Sequence, residues 1–122
     1  MDAKSLSMLE FPKVLERLAG YADFPVSAEL ARGLRPTADL QEALARQAVT
    51  SEARRLLSVK SEVGIAGARD VRPLAERAER SGVLLPTELL EIKSTLIAAR
   101  ELFRTLENKQ AEYPHLAVSA QP

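Results

Sequence analysis

The amino-acid sequence predicts an all-α protein, and three features of the chain support this prediction. Apolar residues recur every three or four positions along most of the length, which is the repeat of one face of an α-helix. No stretch alternates apolar and polar residues as a half-buried β-strand does. Only five residues are aromatic, so Leu, Ala and Val must fill the core, and these side chains suit helix-on-helix packing. We predict an elongated bundle of about five to six helices, two of them long.

Three short helices are predicted in the first third of the chain. The first covers residues 2–10 and ends in a bend where Phe11 precedes Pro12, because the residue before a proline avoids the α conformation. A second helix restarts at this proline, which is tolerated in a first turn, and covers residues 12–22. Ser27 is a candidate N-cap for a third helix, which is expected to end near the next glycine.

Two longer helices are predicted over residues 39–60 and 87–112. Asp39 and Glu42 have a spacing similar to that of a capping box, in which each side chain accepts from the other residue's backbone. At about 1.5 Å per residue, these helices span roughly 33 and 39 Å, which makes the predicted bundle elongated.

The apolar positions of both long helices predict their packing. In the first helix they lie on nearly opposite sides, which indicates different neighbours along its length. One side has Leu40, Ala43, Leu44 and Ala48, and the other has Val49, Ala53, Leu56 and Leu57. The second helix has a heptad stripe of Leu89, Ile92, Leu96, Ala99, Phe103 and Leu106. Such a stripe is the seam of bundles and coiled coils, so it predicts either internal core or self-association. We expect Asp at Leu96 or Phe103 to unfold the chain or break a dimer.

The segments outside the long helices complete the predicted organisation. Residues 61–69 are predicted to be a loop, and residues 72–81 a short helix with Gly82 as its left-handed cap. We predict one helical domain over residues 1–113. Residues 114–122 then form a tail, either disordered or a truncated helix.

The sequence contains no recognisable catalytic or metal-binding pattern. The chain has no Cys, which excludes disulfides and thiolate chemistry. Its one histidine, His115, is expected to be a plain surface residue, since a lone His without an orienting partner is no catalytic signature. Acidic residues do not cluster at ligand spacing, and Gly64 and Gly67 lack the lysine of a P-loop. We therefore assign no catalytic, cofactor-binding or metal-ligating residue, and expect no cofactor in this chain.

The charge pattern argues against a nucleic-acid-binding stripe. Seventeen basic residues balance seventeen acidic ones, whereas chains that wrap nucleic acid usually have a basic excess. Two arginine groups occur, Arg54 with Arg55, and Arg69, Arg72, Arg77 and Arg80, and they are interleaved with Glu52, Asp70, Glu76 and Glu79. We interpret them as solvated faces with pairs such as Glu76–Arg80, while a phosphate contact by one or two of them stays open. No signal peptide or membrane span is recognisable, so a cytoplasmic location without membrane association is expected.

Four stretches, taken together, carry a resemblance to a known family. They are residues 9–19 (LEFPKVLERLA), 51–57 (SEARRLL), 67–74 (GARDVRPL) and 82–90 (GVLLPTELL). In this order and spacing they resemble the extreme N-terminus of the bacterial MutS-two family, the MutS paralogues with a small MutS-related nuclease tail. No single motif is diagnostic, but the ordered set covers about residues 4–113.

The resemblance implies a larger protein around this chain. The full protein would be a homodimeric, DNA-binding ATPase and endonuclease with ATP and Mg as cofactors, and this chain would correspond to the core and lever region of MutS. It would act in suppression of homologous recombination and rescue of collided ribosomes. The Walker motifs and nuclease residues would lie outside these 122 positions, so no functional residue is carried over. The family tends to place Ser where Leu85 stands here, which makes Thr87 the candidate cap of the last long helix.

An interaction protein is the alternative to this interpretation. The chain would then be a free-standing helical adaptor that binds a partner helix through an exposed apolar stripe. A reading frame that continues past Pro122 into a P-loop would favour the first interpretation, and a stop codon there the second.

Overall fold

The computed structural model describes residues 2–122, which contain seven α-helices and no β-strand. The helices are α1 (Ala3–Met8), α2 (Phe11–Ala19), α3 (Pro25–Arg32), α4 (Leu40–Val59), α5 (Arg72–Glu79), α6 (Pro86–Asn108) and α7 (Pro114–Ser119). The predicted all-α fold is confirmed, and the two long helices are α4, with 20 residues, and α6, with 23. None of these helices has the length and apolar character that crossing a membrane requires.

The chain divides into two compact units. Unit 1 comprises the residues up to Pro36 together with Ala66–Thr95, and unit 2 comprises Thr37–Ile65 and Leu96–Pro122. Unit 1 thus contains α1, α2, α3, α5 and the first part of α6, whereas unit 2 contains α4, α7 and the rest of α6.

In unit 1, the bend between α1 and α2 is found where the proline predicted it. Glu10 has a φ of 56°, in the left-handed region that non-glycine residues seldom adopt. α2 starts directly after it, with Pro12 in the first turn, and buries Leu15 and Ala19. α2 packs on α3, which begins at Pro25. Ser27 therefore lies inside the first turn of α3 and is not its cap. The helix can start two residues earlier because Pro25 has no N–H, and an N–H at this first helical position would have no acceptor within the helix.

The termini of α5 and α6 correct two predicted caps. α5 ends at Glu79, and the left-handed residue after it is Ser81, with φ 61°, not Gly82. Gly82 instead donates its N–H to the Arg77 carbonyl at 2.8 Å, where an added Cβ would lie 2.7 Å from that same oxygen. Glycine is thus required there by close backbone approach. α6 begins at Pro86, so Thr87 is not its cap. Instead, the Glu88 carboxylate accepts the Leu85 N–H at 2.7 Å.

In unit 2, α4 has half of the predicted capping box. Asp39 accepts from the N–H groups of Gln41 and Glu42 at 2.9 and 3.3 Å. Glu42 does not return a bond to Asp39, because its carboxylate accepts from the Thr37 hydroxyl at 2.6 Å and pairs with Arg46 at 2.5 Å. The Asp39 N–H donates to the Thr37 hydroxyl oxygen instead.

A small core holds unit 2 together. Leu56 of α4, Leu106 of α6 and Tyr113 form its centre, and Leu56 is only 1% exposed. Partly buried apolar residues surround this cluster, namely Val63, Leu102, Leu116 and Ala120. Residues Pro114–Ser119 form α7, which packs on α4 and contributes the buried Ala117.

The burial of α4 and α6 differs from the predicted stripes. In α6, Leu89 and Leu96 are 53% and 65% exposed, Ala99 is exposed and Phe103 half-buried, so Leu106 is the fully buried member of the heptad set. As internal core the continuous seam is wrong, because the covered face in unit 2 runs through Ala98 and Leu106 instead, whereas self-association through the stripe stays a prediction. In α4, Leu40, Leu44 and Leu57 are exposed, so the prediction of two packed sides is wrong as well. Periodicity identifies apolar faces but does not identify which face has a neighbour.

Candidate functional site

Among the described residues, more large apolar side chains are exposed than are buried. Eighteen large apolar side chains are exposed among residues 2–122, whereas only four buried apolar ones are larger than alanine. These four are Leu15, Leu56, Leu106 and Tyr113. Single exposed leucines are ordinary, but a surface this rich in them is typical of a face that another polypeptide segment covers.

In unit 1, the exposed apolar surface includes one side of α2. Val14 and Leu18 are 57% and 45% exposed, and Tyr21, in the turn after the helix, is 76% exposed. Their spacing of four and three residues places them along one face, which we call the α2 ridge. Leu15 and Ala19 each follow a ridge residue directly, so they lie about 100° round the helix from it, and both are buried. α2 therefore has one broad apolar face, of which the described residues cover only a part.

In unit 2, α4 and α7 border an open groove. The groove has a volume of about 420 Å³ and is lined by Ala45, Val49, Pro114, His115, Val118 and Ser119. Val118 is 61% exposed in it. The walls are mainly apolar, and the Ser119 hydroxyl is engaged with the His115 carbonyl at 3.0 Å. The α4–α7 groove is a second surface suited to an apolar partner.

His115 is an exposed residue, as predicted, but it has an orienting partner that the prediction did not include. Its Nδ1 lies 2.8 Å from Oε1 of Glu52, and Oε2 of the same carboxylate accepts the Leu116 N–H at 2.7 Å. Glu52 is 5% exposed, which also corrects its assignment to a solvated face. Burial disfavours the Glu52 carboxylate, but these hydrogen bonds outweigh it and lower its pKa. Sequence reasoning missed the pair because 63 positions separate the two residues.

Two members of the second arginine group, Arg72 and Arg77, are paired with carboxylates. Arg72 contacts Asp70 at 2.7 Å and Glu29 at 2.9 Å, and these bonds raise the pKa of Arg72 and lower that of Asp70. Arg77 pairs with Glu88, which lowers the pKa of that glutamate. These are not the predicted helical pairs. Partners from other elements compensate the charge, as expected of a solvated surface.

The first arginine group borders a small polar cleft on α4. Ser51, Arg54, Arg55 and Ser58 line it, and its volume is about 350 Å³. The Arg55 guanidinium lies 5.4 Å from the centre of the Tyr113 ring, a cation–π distance. The Ser58 hydroxyl donates to the Arg55 carbonyl at 2.7 Å, so its proton is already used.

The glycine-containing segment, residues 61–69, is a loop, as predicted. Gly67 has a φ of 87°, and the neighbouring Ala68 is buried. The Arg69 N–H donates to the Thr95 hydroxyl at 2.9 Å, which anchors the loop to α6 within unit 1. Within residues 2–122, His, Asp and Glu side chains form no group of three that could hold a metal ion.

Acid is expected to destabilise the fold below about pH 4.5. Glu42, Glu52 and Glu88 have pKa values lowered from an ordinary value of 4.5, and Asp70 from 3.8. A carboxylate whose folded pKa is lowered contributes stability above its unfolded pKa and loses it as the pH falls through the folded pKa. Melting temperatures from circular dichroism should therefore be level between pH 7 and about 5 and fall below about 4. A melting temperature that rises in acid would contradict the assigned hydrogen bonds.

Comparison with known proteins finds relatives over nearly the whole chain. The Endonuclease MutS2 of Symbiobacterium thermophilum is 39% identical over 110 residues, which is 90% of this chain and 14% of the relative. The Endonuclease MutS2 of Pelotomaculum thermopropionicum is 35% identical over 116 residues, 95% of this chain and 15% of the relative. The Endonuclease MutS2 of Geobacillus kaustophilus is 38% identical over 113 residues, which is 93% of this chain and 14% of the relative.

These matches agree in what they cover. The chain spans about 15% of the length of the curated relatives it matches. No protein-family model matches it, and neither does any solved structure. The resemblance predicted from the four stretches is confirmed: over 90–95% of its length, this chain is similar to a segment of the MutS2 endonucleases.

Proposed function

We propose that this chain is a non-catalytic structural segment of a longer MutS2-type protein. One observation carries the proposal: the chain matches MutS2 endonucleases over 90–95% of its own length but only 14–15% of theirs. The exposed apolar surface supports it, because a segment cut from a larger fold exposes the faces that the rest of the polypeptide covers.

The activity of the longer protein follows the family expectation. It is a homodimeric, DNA-binding, ATP-dependent endonuclease of the cytoplasm, which acts in suppression of homologous recombination and in rescue of collided ribosomes. ATP and Mg bind outside this segment, and DNA and the ribosome are partners of the whole protein. The direct partner of this segment is the rest of its own chain.

The mechanical part of the proposal gives this segment the role of a lever. α4 and α6 are continuous helices of 20 and 23 residues, each stiffened by its internal hydrogen bonds. Rigid helices of this kind transmit nucleotide-driven movement between an ATPase and a DNA clamp. The α2 ridge and the α4–α7 groove are the faces through which neighbouring segments hold the lever.

A free-standing adaptor is the second candidate, and the α2 ridge favours it. An exposed face with Val14 and Leu18 one turn apart matches the way in which helical modules receive a partner helix. This candidate differs from the first in requiring no continuation of its own chain.

The isolated 122-residue chain is expected not to bind ATP, because it has no P-loop. Isothermal titration calorimetry checks this directly, and stoichiometric binding would contradict a purely structural role.

The reading frame beyond residue 122 separates the two candidates. The first candidate requires a continuation that encodes a P-loop, and the protein expressed from that longer frame should titrate ATP. A stop codon at that point, combined with a helical partner bound by the short chain, would favour the adaptor.

A further inference from the structure

α7 lacks a cap from its own sequence. The first N–H groups of an α-helix have no intrahelical acceptor, and a Ser, Thr, Asp or Asn just before the helix usually accepts one of them. The residue in that place is Tyr113, which makes no capping hydrogen bond and is buried in the unit 2 core. α7 has six residues, too few to be stable by itself.

Glu52 supplies the missing acceptor from α4. Its Oε2 accepts the Leu116 N–H at 2.7 Å, in the first turn of α7. Its Oε1 lies 2.8 Å from Nδ1 of His115, and this nitrogen must be the donor because an ionised carboxylate only accepts. Both carboxylate oxygens are therefore satisfied by α7, sixty-odd positions along the chain.

Because Glu52 is buried, its hydrogen bonds to α7 matter for the stability of both residue and helix. Glu52 is the one polar or charged residue among the buried side chains of the described chain. A buried carboxylate is tolerated only when hydrogen bonds replace its lost water, and here the donors come from α7. A negative charge at a helix N-terminus is also favoured by the helix dipole. The two elements thus depend on each other: α7 satisfies Glu52, and Glu52 caps α7.

We propose that Glu52 is a latch that fixes α7 on α4, so that loss of this acceptor releases α7 while the Leu56–Leu106 core stays folded. Leu116 and Ala120 pack against the core and leave it when α7 is released, but Leu56 and Leu106 are contributed by the long helices, so the contact between these two leucines does not pass through α7. Release removes Pro114 and Val118 from the α4–α7 groove, so the latch decides whether this groove exists. This inference concerns the 122-residue chain itself and does not depend on the proposed function.

Hydrogen–deuterium exchange with mass spectrometry on the whole chain tests the latch. In Glu52→Gln, amides of residues 116–120 should exchange at least about tenfold faster than in the parent, because a charged carboxylate that accepts two hydrogen bonds is replaced by a neutral amide with a single acceptor oxygen. Amides in the middle of α4 and α6 should change less than about twofold, because they do not depend on the latch. Glu101→Gln is the matched control, since Glu101 is an exposed glutamate of unit 2, and it should leave α7 unchanged. His115→Ala keeps the backbone cap and should release α7 less than Glu52→Gln.

Three results would overturn the proposal. The first is exchange in Glu52→Gln that equals the Glu101→Gln control. The second is uniform acceleration throughout unit 2, which would mean that Glu52 supports the whole unit. The third is a release of α7 by His115→Ala as large as that by Glu52→Gln, which would assign the contact to the imidazole instead of the helix terminus.

Discussion

Replacing Leu56 by Ala is expected to remove a large share of the stability of this chain. Leu56 is 1% exposed at the centre of the cluster with Leu106 and Tyr113. Truncation of a buried leucine to alanine costs about 2–5 kcal/mol, because the lost transfer free energy adds to the cost of the cavity. The free energy of unfolding of a typical domain is only about 5–15 kcal/mol. Urea unfolding followed by circular dichroism would measure the loss.

The adjacent leucine provides the control for this experiment. Leu57 lies on the same helix and is 47% exposed, so Leu57→Ala removes the same atoms from a much wetter environment. Its expected cost is below about 1 kcal/mol. Equal losses at the two positions would mean that α4 faces its neighbours differently from the arrangement described.

Leu106→Asp is expected to unfold unit 2, whereas the same substitution at Leu96 is expected to be tolerated. Leu106 is 6% exposed in the core cluster, and an unpaired carboxylate placed there costs several kcal/mol. Leu96 belongs to the same heptad stripe but is 65% exposed, so an Asp there stays hydrated. Helix content and melting temperature by circular dichroism would distinguish the two variants.

This pair of variants also tests self-association. The stripe by itself predicts that Asp at Leu96 disrupts the protein, whereas the observed burial predicts that it does not. Light scattering on parent and Leu96→Asp protein gives the oligomer size. A change in that size, or unfolding by Leu96→Asp, would mean that a second copy covers the exposed part of α6 in solution.

The two core predictions bear on the proposed role. A lever transmits movement only if its helices keep their place, and in unit 2 the small Leu56–Leu106–Tyr113 cluster joins α4 to α6. Such a small core is expected of a segment whose exposed apolar faces are covered by other parts of a larger protein. From the proposed lever role, we therefore expect the core variants to impair a longer MutS2-type protein as well.

The sequence by itself determined where most helices begin, whereas α2 and α6 end at Ala19 and Asn108, three and four residues before the predicted ends. Pro12 and Pro25 lie at or next to the first residue of a helix, Asp39 caps α4, and Pro86 and Pro114 open α6 and α7. These features are readable because proline geometry and capping act within one turn of the chain. The family resemblance was readable for a similar reason, since it rests on ordered local stretches.

Only the tertiary structure decided which apolar faces are covered and which polar residues meet. Leu96 and Leu106 occupy equivalent heptad positions, yet one is exposed and the other buried, because burial depends on neighbours far away in the chain. In the sequence, nothing relates Glu52 to His115, whereas in the structure Oε1 of Glu52 lies 2.8 Å from Nδ1 of His115. Local backbone preferences therefore determined the helices, whereas contacts between residues distant in sequence determined the core and the latch, and no spacing along the chain encodes such contacts.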